Sequence, residues 1–218
     1  MKSTERHHLQ EDGMVHGLSW LAELIRTYRR EITLVGAGLA AAAVLFAALV
    51  LLRSHSRSLA SRAIGKVTEL SVAVAQDPAK LPELEKLAAK GRASRLATVE
   101  VAKHWAAKGD WAKAESVLTG LAGGRKDLVH YQAEDLRAQI ALGKKDFDGA
   151  VAIYRRIVEE KPAVYPLDAA RFALAESLER KGDTAAALEL YKKLQEEFPQ
   201  SYFGYEASLK ASKLALKK

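Results

Sequence analysis

Six histidines are the side chains in this sequence best suited to metal or proton chemistry: His7, His8, His16, His55, His104 and His130. His7 and His8 are adjacent and so fall on different faces of any helix, and none of the six forms a spaced set with nearby acids, as a metal site requires. They read as solvated side chains, and no metal is expected. The clustered glycines of "TGLAGGRKD" (119–127) lack both a preceding strand and a Gly-Lys-Ser/Thr ending, so they form a linker and not a phosphate loop. The chain has no cysteine, which excludes disulfides, thiolate ligands, a cysteine nucleophile and a lipidated cysteine together. No serine–histidine–acid or paired-carboxylate arrangement emerges, because a helical array provides no deep cleft to join such groups. The residues predict neither an enzyme nor a cofactor.

Regular spacing is what remains, and it sets the elements. "KGDWAKAESVLTGL" (108–121), "KKDFDGAVAIYRRI" (144–157) and "KGDTAAALELYKKL" (181–194) align without gaps, at periods of 36 and then 37 residues. An alanine follows each turn, at Ala114, Ala150 and Ala187, and another stands twelve residues earlier, at Ala102, Ala138 and Ala175. Antiparallel helices approach to about 8–10 Å only where the crossing side chains are small. One alanine on each helix supplies that closeness, with Leu118, Tyr154 and Tyr191 filling the groove beside it. Proline then stops the second helix at Pro162 and Pro199.

This pattern resembles the tetratricopeptide repeat, a helix–turn–helix unit of about 34 residues. The resemblance covers about 95–201 and is best in the third copy, while Glu134 and Arg137 stand at positions of the second copy that are usually apolar. It implies a concave face built from the first helix of each hairpin. By register that face carries Val99 and Lys103, then Asp135 and Gln139, then Phe172 and Glu176. Members that grip a C-terminal carboxylate use a basic clamp; here only Lys103 is basic and later copies turn acidic. Binding of an extended or helical segment of another protein is the more natural expectation.

Ahead of the repeats, "ITLVGAGLAAAAVLFAALVLL" (32–52) runs for 21 residues without a charge, enough to cross a bilayer. The 31 residues before it and its length favour an uncleaved anchor over a signal peptide. "SWLAELIRTYRR" reads as a short amphipathic helix at the membrane interface. Gly36 and Ala40 have the small-xxx-small spacing that permits a helix–helix contact in lipid. Arg26, Arg29 and Arg30 on one side and Arg53, Arg57, Arg62 and Lys66 on the other decide no orientation. The net charge of +7 lies wholly beyond residue 52 and is interleaved with acids, the pattern of solvated helix faces rather than of nucleic-acid binding.

The predicted fold class is all-α: a single transmembrane helix followed by a tetratricopeptide-repeat-like α-solenoid of helical hairpins. Its parts are a cytoplasmic tail (1–31), the membrane helix (32–52), a leading hairpin (53–94), three degenerate repeats (95–201) and a capping helix (202–218). That order, with "LPELEKLAAKGRASRLATVEVAKHWAAKGDWAKAESVL" (81–118) and "LRAQIALGKKDFDGA" (136–150), resembles the YfgM-type family of bacterial inner-membrane proteins. The resemblance implies a repeat domain in the periplasm and, as partners, subunits of the SecYEG translocon or a membrane-anchored periplasmic chaperone. Other readings are a cell-envelope assembly or division scaffold of the Tol–Pal type, which "FPQSYFGYEA" resembles, and a cytosol-facing docking receptor.

Overall fold

The computed structural model describes residues 20, 23, 26–121 and 124–216, and every regular element among them is helical. Among the described residues, nine α-helices with both ends defined follow in order: α1 (Arg29–Gln76), α2 (Leu81–Ala89), α3 (Ser94–Ala107), α4 (Trp111–Leu118), α5 (Leu128–Gly143), α6 (Phe147–Glu160), α7 (Leu167–Lys181), α8 (Thr184–Glu197) and α9 (Tyr202–Ala215). Of the expected interfacial helix at 19–30, Ser19, Leu21, Ala22, Leu24 and Ile25 lie outside the described residues, and Arg29 and Arg30 already belong to α1.

The chain divides into two compact units, Met1–Leu59 and Ala60–Lys218. In the first, α1 is long and apolar enough to cross a membrane. Leu34, Leu39, Val44, Phe46 and Leu51 are each 64–70% exposed, so no protein surface covers them here. The expected break between residues 52 and 53 falls inside α1. Neither glycine nor proline occurs between Leu39 and Ile64, so nothing in the backbone stops the helix there.

The second unit is a run of antiparallel hairpins, α3–α4, α5–α6 and α7–α8, each packed on the next and closed by α9. The repeated Lys-(Gly/Lys)-Asp turn has a common backbone explanation. Gly109, Lys145 and Gly182 adopt φ of 75°, 65° and 95°, the left-handed conformation that ends a helix. The next N–H reaches back five residues in every copy, from Asp110 to Trp105 (3.0 Å), Asp146 to Ala141 (2.8 Å) and Asp183 to Leu178 (2.9 Å). Each aspartate then caps the following helix, its carboxylate accepting from the N–H of Lys113 (3.1 Å), Gly149 (2.9 Å) or Ala186 (3.2 Å). One residue stops the first helix and its neighbour starts the second.

The six spaced alanines are all completely buried at the hairpin crossings. Three cores run along the described residues, and the six alanines belong to the last two. Val67, Leu70 and Val74 at the end of α1 join Leu81, Leu84, Ala97 and Val101. Val99, Leu118, Ala133, Leu136 and Ile140 link the first copy to the second. Tyr154, Ile157, Leu174, Tyr191, Leu194 and Leu214 continue through the third copy into α9.

Glu134 and Arg137 brace the second copy by charge and link it to the first by a hydrogen bond. Glu134 is only 6% exposed. One of its oxygens accepts from Arg137 Nη1 at 2.7 Å, and the other bonds Arg156 on α6. Arg137 Nη2 also donates to the Leu118 carbonyl at 2.7 Å, satisfying an end group of α4 that α4 itself cannot pair. Glu134 thereby ties α5 to α6, and Arg137 carries the link on to α4.

Two stability changes are expected. Lys145→Gly relieves a left-handed conformation that costs a side chain about 1 kcal/mol, so it raises the denaturation midpoint of the full chain in detergent; an unchanged midpoint refutes the strain. Ala187→Leu overpacks the third crossing and costs about 2 kcal/mol, read as a lower thermal midpoint by circular dichroism; wild-type stability refutes the assigned register.

Candidate protein-binding groove

Helix α3 packs directly on α5, whereas α5 and α7 stand further apart. The gap between them is a groove of about 550 Å³. Four residues expected on the concave face meet there: Asp135 and Gln139 from α5, Phe172 and Glu176 from α7. Their i, i+4 spacing puts each pair on one side of its helix. Tyr154 from α6 and Tyr165 from the connection after it reach in between, and Trp111, Arg180 and Phe203 complete the wall.

Asp135 is the electrostatic centre. One carboxylate oxygen accepts from the Tyr154 hydroxyl at 2.8 Å and the other from the Gln139 amide at 3.0 Å. Burial pushes its pKa above the ordinary carboxylate value, against the lowering effect of Tyr154, Gln139 and Tyr165 and of the more distant Lys103 charge. Burial and the neighbouring carboxylate also push the Tyr154 and Tyr165 hydroxyls up, out of the usual phenol range. Both tyrosines therefore stay protonated and act as donors. No described cation forms an ion pair with Asp135.

Glu176 differs from Asp135 in being paired. Lys210 on α9 lies 3.2 Å from it and 3.2 Å from Glu179, while Glu179 accepts from the Tyr191 hydroxyl at 3.0 Å. Phe172 packs its ring 5.7 Å from Tyr191 and 5.5 Å from Phe203, measured between centroids. Gln139 is exposed at the groove edge. At Gly143 an added Cβ would come 2.6 Å from the Trp111 ring, so the glycine gives the indole its place over the end of α5.

The remaining two face residues lie elsewhere. Lys103 is exposed and bonded to Glu100 at 2.7 Å, beside a separate cavity of about 380 Å³ that also includes Val74, Leu84 and His104. Val99 is fully buried and belongs to the core with Ala133 and Leu136, not to a binding face. The register places Val99 on the correct helix, but the next copy covers that position. Sequence reading passed over Tyr165, Trp111, Arg180 and Phe203 as groove residues. The one available signal, the tyrosine of "AVYP", reads only as part of a lengthened turn.

Among the described residues, which include His55, His104 and His130, no group of three potential metal ligands occurs, and His7, His8 and His16 lie outside them. His104 Nε2 lacks a hydrogen-bond partner, and burial, with the nearby Lys108 charge, lowers its pKa. In the first unit Gly36 and Ala40 are exposed on α1, and an added Cβ at Gly36 would meet open space.

Neither a curated protein nor a solved structure matches the chain. The tetratricopeptide repeat family matches residues 102–165 and 136–202, two overlapping stretches that contain the hairpins and the groove. The buried alanines and paired helices described above agree with that match: residues 102–202 fold as a tetratricopeptide-repeat-like run of helical hairpins.

Proposed function

We propose that this chain is a membrane-anchored scaffold whose groove between α5 and α7 holds a segment of a partner protein. The convergence of Asp135, Gln139, Phe172 and Glu176 on one concave groove is the observation that carries this reading. Tetratricopeptide repeats are protein-interaction modules, and aromatic walls around a few fixed polar groups suit recognition of a peptide segment. Lys103 would extend the same contact toward the first copy. The apolar part of α1, whose large side chains no protein surface covers, would hold the scaffold in the lipid bilayer.

The likeness to YfgM-type proteins supports the finer assignment: a bacterial inner-membrane protein with its N-terminus inside and its repeats in the periplasm. Subunits of the SecYEG translocon, or a membrane-anchored periplasmic chaperone, would then supply the bound segment. The role is ancillary and non-catalytic, with selection resting on the groove and proximity to the translocon on the anchor.

Because the native chain has no cysteine, one introduced at Lys218 reports topology directly. It is expected to react with a membrane-impermeant maleimide in intact spheroplasts; reaction only after permeabilisation refutes the periplasmic placement. A photo-crosslinker at Gln139 is expected to give adducts with translocon subunits or the periplasmic chaperone, identified by mass spectrometry. The same group at the exposed Lys192 on α8 should not. Equal adducts from both positions, or none from Gln139, reject the groove as the contact.

A further inference from the structure

Resting on the reading of the α5–α7 groove as a partner site, the geometry points to selectivity for a basic side chain. A lysine or arginine of the bound segment would set its cation against the Asp135 carboxylate, among the rings that line the groove.

Tyr154 and Gln139 donate to Asp135 at 2.8 and 3.0 Å, the Tyr165 hydroxyl bonds it as well, and all three are neutral. A carboxylate offers about four lone-pair positions, so these bonds orient the group without saturating it. Its negative charge is left unmatched by any described ion pair, in a partly buried site that makes charge costly. An incoming cation would relieve that cost.

Other charges around the groove leave this role open. Glu176 is held by Lys210, and Lys103 is bonded to Glu100, so neither presents a free partner of opposite sign. Arg180 lines the groove but forms no ion pair with Asp135. An anionic ligand would meet both Asp135 and Glu176, which disfavours a C-terminal carboxylate as the occupant.

The lining suits both halves of a basic side chain. Aromatic faces attract ammonium and guanidinium groups, and Trp111, Tyr154, Tyr165 and Phe172 all contribute rings here. The long hydrocarbon stem can pack on Leu142 and Ala173 while its head reaches the carboxylate. A phenylalanine or leucine could use the rings but would bury Asp135 without compensating it, and a glutamate would repel it.

The test uses the full chain in phosphatidylcholine nanodiscs with Gln139 left in place on Asp135, the photo-crosslinker being a diazirine residue placed first in each peptide and adducts being scored on groove residues by mass spectrometry. Probes are dodecapeptide pools, N-acetylated and C-amidated, with one central residue fixed as Lys, Arg, Leu or Glu and every position but this and the first randomised. Blocking both ends confines the comparison to side chains. Lys- and Arg-fixed pools are expected to half-saturate crosslinking at concentrations about tenfold lower than Leu- or Glu-fixed pools, as charge-complementary recognition provides. Asp135→Asn should bring all four within about twofold, and Asp135→Lys should turn the preference toward the Glu-fixed pool. Equal crosslinking by all pools with the unsubstituted Asp135, or a basic preference that survives Asp135→Asn, overturns the cation pocket while leaving the groove a peptide site. Crosslinking by none of the pools overturns the groove reading and the inference with it.

Discussion

Close approach of two helices at a pair of alanines is the constraint on which the repeat domain depends. All six alanines at the three crossings are completely buried. With a larger side chain at either position, the hairpin would open and the aromatic and leucine side chains beside it would lose their contacts. Everything further out follows from that distance. The turn must be tight, so its middle residue goes left-handed and its aspartate caps at once. Hairpins of this narrow width then stack, and the spaces between successive first helices become the surface available to a partner.

Alanine spacing and turn composition are local properties, which is why the hairpins were legible in the sequence. The face was legible only in part. Asp135, Gln139, Phe172 and Glu176 meet in one groove because each lies on the side of its own helix that the period predicts. Val99 has the equivalent position in the first copy, yet it is buried with Ala133 and Leu136. The difference lies in the next hairpin, which closes over α3 but stands away from α5. A period defines a helix face, whereas its exposure depends on the separation between copies. Tyr165 was hidden for a related reason, since a connection between repeats has no period from which its direction can be read.

Glu134 shows how a departure from an apolar pattern can support a fold. A buried acid between helices would weaken a core if left alone, because the charge loses water and gains nothing. Two arginines surround this one, and Arg137 also occupies the end carbonyl of α4. Asp135, the adjacent residue, follows the opposite course. It turns to the groove, receives only neutral donors and keeps its charge unmatched. Adjacent acids on one helix thus separate into one that fastens the two helices of its own hairpin and one that faces the groove.

The groove belongs to no single copy: one wall is the first helix of the second hairpin and the other is the first helix of the third. In a stacked array, stability is the sum of each unit's own folding and its coupling to its neighbours. An occupant touching both walls would add to the coupling at that joint and leave each hairpin's internal stability unchanged. Occupancy would then be felt along the array as cooperativity, making the second and third copies open and close as one unit.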